Sequence, residues 1–142
     1  MVSPSNADRF AAAVAAMHQG DIGPFIMEFS EDMVLHVPPA LPWSPGELRG
    51  PKALAELLST MLQWSEGHYE NEVVHVGGEG DLVVTVNVVR AVHRRRSHDY
   101  QTAWTYRFAD GVIVEAWLIS SMSSDQLADF WARPAPAMAT TD

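Results

Sequence analysis

The sequence predicts an α+β domain in which helices cover one face of a curved antiparallel sheet and close an apolar pocket against it. Three observations lead there. Helical periodicity dominates the first half of the chain, long β-branched runs dominate the second, and a strong two-residue turn, Asp110-Gly111, joins the last two of those runs. Helices and antiparallel strands segregated in this way pack as layers. A strongly curved sheet under helices leaves a cavity between them.

The elements follow in order as α-α-β-α-β-β-β-β-α. Ser5-Asn6-Ala7-Asp8 has the form of a capping box. Phe10, Ala13, Val14 and Met17 then recur at helical spacing until Gln19-Gly20. Asp21 is placed to cap a short second helix, with Pro24 in its first turn and Phe25, Ile26 and Phe29 inward. Met33–Val37 reads as a short strand. The proline-rich segment from Pro38 to Gly50 reads as a loop over the mouth or edge of the domain. Gly50-Pro51 opens a third helix, whose buried stripe is Leu54, Leu57, Leu58, Met61 and Leu62. Strands are predicted at Tyr69–Val76, Leu82–His93, Asp99–Ala109 and Val112–Met122. Arg94–Ser97 is the tip between the second and third of these. Ser123 or Ser124 caps a closing helix through Phe130-Trp131. A single domain spans 5–132, with loose termini at 1–4 and 133–142.

Composition narrows the function classes. The 142 residues are 47% hydrophobic and 19% charged, as in a globular domain, and carry a net charge of −9. That balance argues against a basic nucleic-acid face. No apolar run approaches the ~20 residues that span a bilayer, and the first residues lack a secretory pattern, so a cytoplasmic protein is expected. The absence of cysteine removes disulfides and thiolate metal sites.

Four stretches resemble the SnoaL-like branch of the nuclear transport factor two-like superfamily, which holds polyketide cyclases and ketosteroid isomerases. They are Val34-Leu35-His36-Val37-Pro38, Leu48-Arg49-Gly50-Pro51-Lys52-Ala53, the run from Tyr106 through Asp110-Gly111 to Trp117, and Asp125-Gln126-Leu127-Ala128-Asp129-Phe130-Trp131. The resemblance implies a cone-shaped α+β shell and a homodimer. It also implies that alternate residues of the last strand, Ala116, Leu118 and Ser120, face the pocket. Glu115 and Trp117 would then point outward to the dimer interface. An acid/base aspartate of the cyclases and of limonene epoxide hydrolases resembles the position of Leu118. Trp104 stands about where the isomerases keep a neutral aspartic acid. This chain departs from its relatives at both places.

Several residues are candidates for chemistry. His36 can act as general acid or base near neutral pH, or it is a hydrogen-bonded histidine at the rim. Asn87 interrupts the apolar run Val83–Val89. A buried amide there is either satisfied locally or offered to a ligand. Tyr100, Thr102, Trp104 and Tyr106 share one strand face, and their polar tips can hold a substrate oxygen. A register slip of one residue would bring Glu115 inside. His75 is ambiguous by alternation. His93 and His98 lack metal-ligand spacing, so no metal is expected. Gly77-Gly78-Glu79-Gly80 opens no helix and is not a phosphate loop.

The expected function is a cofactor-independent cyclase or isomerase, with His36, Asn87 and Trp104 catalytic, acting on a small apolar polyketide- or terpenoid-like molecule. Two alternatives stand beside it. One is an epoxide hydrolase or dehydratase using Glu115 or Asn87 to position water; the other is a non-catalytic binding or dimerising protein.

Overall fold

The computed structural model describes residues 4–38, 46–65 and 68–131. Its elements are α1 (Asn6–His18), α2 (Gly23–Met27), β1 (Phe29–His36), β2 (Glu47–Arg49), α3 (Gly50–Trp64), β3 (Tyr69–Glu79), β4 (Leu82–His93), β5 (Arg96–Ala109), β6 (Val112–Ser120) and α4 (Ser124–Phe130). The six strands form one curved, unclosed sheet in the order β2-β1-β6-β5-β4-β3. The chain is therefore α+β, as the order of its elements implies. The sheet is mixed: β1 runs parallel to β6, and the other pairings are antiparallel.

Local chemistry fixes the ends of these elements. The Ser5 hydroxyl accepts from the Asp8 N–H at 3.0 Å. The reciprocal capping box forms at the other end of the chain, where Ser123 and Gln126 each satisfy the other's backbone N–H. Ile22, not Asp21, is the N-cap of α2, although Asp21 Oδ1 still accepts from the Gly23 N–H at 3.2 Å. Asp110 and Gly111 both take positive φ, 51° and 82°, the conformation of a two-residue hairpin turn matched to strand twist.

Five boundaries differ from the sequence reading, the simplest being β6, which ends at Ser120 and not at Met122. β2 was expected to be loop; three residues flanked by Gly46 and Gly50 carry too little pattern to betray a strand, yet they pair with Val34–His36. β1 begins at Phe29, and an irregularity between Phe29 and Val34 hides its alternation. β3 continues through Gly77 and Gly78 to Glu79. A Cβ at Gly78 would collide with the Leu82 carbonyl, so glycine serves close strand approach here and does not end the strand. The Arg94-Arg95 turn is tighter than expected, and Arg96 and Ser97 already pair with His93 and Val92. The expected loop at Pro38–Gly50 and the loose termini lie largely outside the described residues.

The helices lie on one face of the sheet. Phe10, Val14, Phe25, Leu54, Leu57 and Met61 pack against Leu35, Val83, Tyr106 and Ile113. A second cluster, of Val89, Ala91, Tyr100, Leu127, Phe130 and Trp131, joins α4 to the far ends of β4 and β5. Phe10 meets Tyr106 at 4.7 Å and Phe25 at 5.7 Å between ring centroids, which fixes α1 and α2 over the sheet.

Candidate functional site

Between helices and sheet lies a cavity of about 140 Å³. Its helical wall is apolar, with Phe10 and Val14 from α1, Phe25 from α2, Leu54 and Leu57 from α3, and Leu127 from α4. The sheet contributes its floor in register rows. The deepest row, Val83–Tyr106–Ala116, continues to Leu35 on β1. The next is Thr85–Trp104–Leu118, and the third is Asn87–Thr102–Ser120. Strand alternation thus turns one apolar row, one mixed row and one polar row toward the same space.

Asn87, Tyr100, Thr102, Trp104, Tyr106, Leu118 and Ser120 all line this cavity. Trp104 stacks on Tyr106, 5.9 Å apart and 17° from parallel. Ala116 does not reach it. The residue is fully buried in the deepest row and only fills the core, a correction to its expected substrate contact.

The polar row is tied across β3 and β4. Asn87 Nδ2 donates to Asn71 Oδ1 at 2.8 Å. Both Asn71 and Tyr69 line the cavity. Neither was singled out from the sequence. The extra residue between Val73 and His75 breaks the two-residue period, so the inner face of this strand cannot be read by counting. Asn71 is nevertheless the one amide on that strand, but it stands between Glu70 and Glu72 and so reads as part of a polar stretch.

No Asp, Glu, His, Lys or Arg lines the cavity among the described residues. Its titratable groups are phenols. Burial pushes the Tyr100 phenol up to about 12, partly offset by a hydrogen bond with Trp131. Burial raises Tyr69 and Tyr106 further, offset in part by Asn71 and Thr85 respectively. All three remain protonated donors through the neutral range.

His36 lies elsewhere, which corrects its expected place in the pocket. Its neighbour Leu35 takes the inner face, so alternation turns the imidazole outward. There His36 Nε2 lies 2.7 Å from Glu115 Oε2, and the ring stacks 5.5 Å from Trp117. Arg107 donates to the other Glu115 oxygen at 3.1 Å. Hydrogen bonds from His36 and then Arg107 hold the Glu115 carboxyl below the usual carboxylate range. Glu115 and Trp117 therefore occupy the outer face, and no register slip brings the carboxylate inside.

The other histidines are also outside the cavity lining. His75 pairs with outward-facing Val86. His93 is buried between Trp64, Phe130 and Trp131, with its Nδ1 2.6 Å from the Trp64 carbonyl oxygen. Only an N–H can bond a carbonyl oxygen, so Nδ1 carries the proton. Among the described residues no group of three His, Cys, Asp or Glu side chains is placed to hold a metal ion.

A cone of helices and curved sheet around an apolar cavity is the architecture of the NTF2-like proteins. The model of the SnoaL-like domain family matches residues 9–116, and the chain belongs to that family. Among curated proteins, none matches the sequence. Solved structures do. IdmH of Streptomyces antibioticus, described as a candidate polyketide cyclase, is 21% identical with a TM-score of 0.66; the match covers 92% of this chain and 100% of that one. AclR of Streptomyces galilaeus, a candidate hydroxylase, is 23% identical over 92% of this chain and 100% of its own, with a TM-score of 0.61. An NTF2-like protein of unknown function from Burkholderia pseudomallei is 15% identical over the same shares, with a TM-score of 0.71. At these identities the likeness concerns the fold.

Proposed function

We propose that the protein is a cofactor-independent cyclase or isomerase that folds a mostly apolar, polyketide- or terpenoid-like intermediate inside the cavity. The observation that carries this reading is the composition of the cavity wall, where aromatic and aliphatic side chains surround a row of neutral polar groups. Holding a flexible chain with its reacting carbons in contact supplies much of the acceleration of a ring closure. Neutral donors, the phenols and the Thr102 hydroxyl, suit an oxygen that gains charge as the new bond forms. Membership of the SnoaL-like family and the structural likeness to IdmH support the same class.

In this reading Trp104 shapes the substrate and Asn87 with Thr102 anchors it. Tyr100, Tyr106, Leu118 and Ser120 complete the wall. The working unit is a homodimer joined through the outer sheet face around Trp117, where Ile119 is 61% exposed. Hydrolysis or dehydration is disfavoured. Activating water calls for a base, no carboxylate lines the cavity among the described residues, and Glu115 is committed to His36 and Arg107 on the opposite face.

Incubation with a small-molecule extract of the producing cell, followed by mass spectrometry, tests the proposal. The expected result is consumption of one component and appearance of a product of equal mass; a product lighter by one water would instead favour the dehydratase reading. Retention of a component without conversion would replace the enzyme with a carrier.

A further inference from the structure

Three cavity-lining residues carry a side-chain oxygen without a hydrogen bond, Thr85 Oγ1, Asn87 Oδ1 and Thr102 Oγ1, and the last two share one register row. Asn87 is 3% exposed and Thr102 is 7% exposed, yet Asn87 Oδ1 and Thr102 Oγ1 make no hydrogen bond. They belong to residues directly paired across β4 and β5, on the same inner face. Buried polar atoms left in this state are costly, and native structures satisfy nearly all of them.

From the Asn87 and Thr102 atoms we infer that the cavity recognises an apolar molecule carrying a hydroxyl group, whose O–H donates to Asn87 Oδ1 and whose oxygen accepts from the Thr102 hydroxyl. The inference rests on the reading of the cavity as the substrate site and names the class of substrate it takes.

The chemistry of the two atoms selects the group. An amide oxygen can only accept, and the Asn87 amide nitrogen is already bound to Asn71 at 2.8 Å. The missing partner is therefore a donor. A threonine hydroxyl both donates and accepts, so it meets either face of an incoming oxygen. A ligand hydroxyl satisfies both side chains through one atom. A ketone or ether oxygen would satisfy Thr102 alone and set two acceptors against each other at Asn87. A carboxylate would do the same with a full charge, and no cation lines the cavity among the described residues. An ammonium donor would enter a wall that has no carboxylate to pair with it. Trp104 and Leu118, in the adjacent row, leave the rest of the molecule in apolar surroundings. Asn71 is a positioning residue here, since its bond to Asn87 decides which end of that amide faces the cavity.

Three naphthalene probes separate the possibilities by calorimetry or tryptophan quenching. They are 2-naphthol, which donates; 2-methoxynaphthalene, which only accepts; and 2-methylnaphthalene, which does neither. The wild-type protein is expected to bind 2-naphthol about tenfold tighter than either other probe, a difference of about 1.4 kcal/mol. Asn87→Leu is expected to abolish that preference while 2-methylnaphthalene still binds within about threefold of wild type, which shows an intact cavity. Thr102→Val, close in shape, is expected to reduce the preference by a smaller factor. Equal or tighter binding of the methyl ether would overturn the inference, because it would mean that Asn87 presents its N–H₂. A preference that survives Asn87→Leu would overturn it as well, and so would equal binding of 2-naphthol and 2-methylnaphthalene or no binding of any probe. The naphthol preference without any turnover of cell extract would sink the cyclase reading and leave this one standing. Turnover without the preference would do the reverse.

Discussion

The two faces of the sheet divide the chemistry of the molecule. The inner face is aromatic and neutral, with polar groups concentrated in the Asn87–Thr102–Ser120 row and its partner Asn71, beside Thr85 and the phenols. The outer face carries a run of ionised and ionisable groups, Arg107, Glu115 and His36, with the His36 ring stacked on Trp117. Both sets arise from the same strands by alternation of single residues. The residues that look most catalytic by type are therefore those the pleat turns away from the cavity. Residue type nominates a base, but strand phase decides whether it meets a substrate.

This contrast can be strained from either side. The inner face should give the largest stability effect. Phe10 is fully buried against Phe25, Tyr106 and Phe108. Phe10→Ala is expected to cost about 3–5 kcal/mol, read from urea unfolding. A loss under 1 kcal/mol would mean that the aromatic floor does not hold α1 to the sheet.

The cap of α4 gives a smaller one. Ser123→Ala removes half of the capping box and is expected to cost about 1 kcal/mol. Because Leu127 of this helix lines the cavity, affinity for 2-methylnaphthalene should fall alongside stability. Unchanged affinity would show that α4 does not help to close the site.

On the outer face the effects should be smaller still. The His36 and Glu115 side chains are 34% and 27% exposed. A pair this accessible contributes at most about 1 kcal/mol. The sign of its pH dependence follows from Glu115. Its carboxyl is depressed in the folded state from an ordinary value of 4.5. The stability it brings is complete above that value and is lost as pH falls through the lower folded value. The difference in melting temperature between wild type and Glu115→Gln should thus be steady near pH 7 and shrink below about pH 4.5. A difference that grows on acidification would reject the stated pairing.

Turnover should show neither titration. The cavity phenols ionise far above neutrality, Tyr100 at about 12. The rate is therefore expected to stay flat from about pH 6 to pH 9, with no limb near the histidine range. A bell-shaped profile centred in that window would place a titrating group at the reaction.

The same pleat explains what could be read from the sequence. β4 and β5 pair in unbroken register over their whole common length. Counting by twos along them found the shared face of Tyr100, Thr102, Trp104 and Tyr106, and the outward direction of Glu115 and Trp117 followed from the family likeness. Asn87 could be assigned to the face of Thr85 and Val89, while the choice of inner or outer needed the helices in place. Phase failed where strands are short or irregular. β1 shows too few alternating residues before Pro38 to orient His36, and the irregularity at Val73–His75 concealed Asn71 and Tyr69. β2 is three residues long and took its identity from its partner, not from its own pattern.

A single comparison of turnover tests whether the neutral inner face does the work. His36→Ala and Trp104→Ala are assayed side by side on the substrate recovered from extract. The account predicts that His36→Ala stays within about twofold of wild type while Trp104→Ala falls at least tenfold, since misplacing a substrate can cost on the order of a hundredfold. A loss of about a hundredfold or more in His36→Ala, the scale of a missing general base, with Trp104→Ala near wild type, would contradict it.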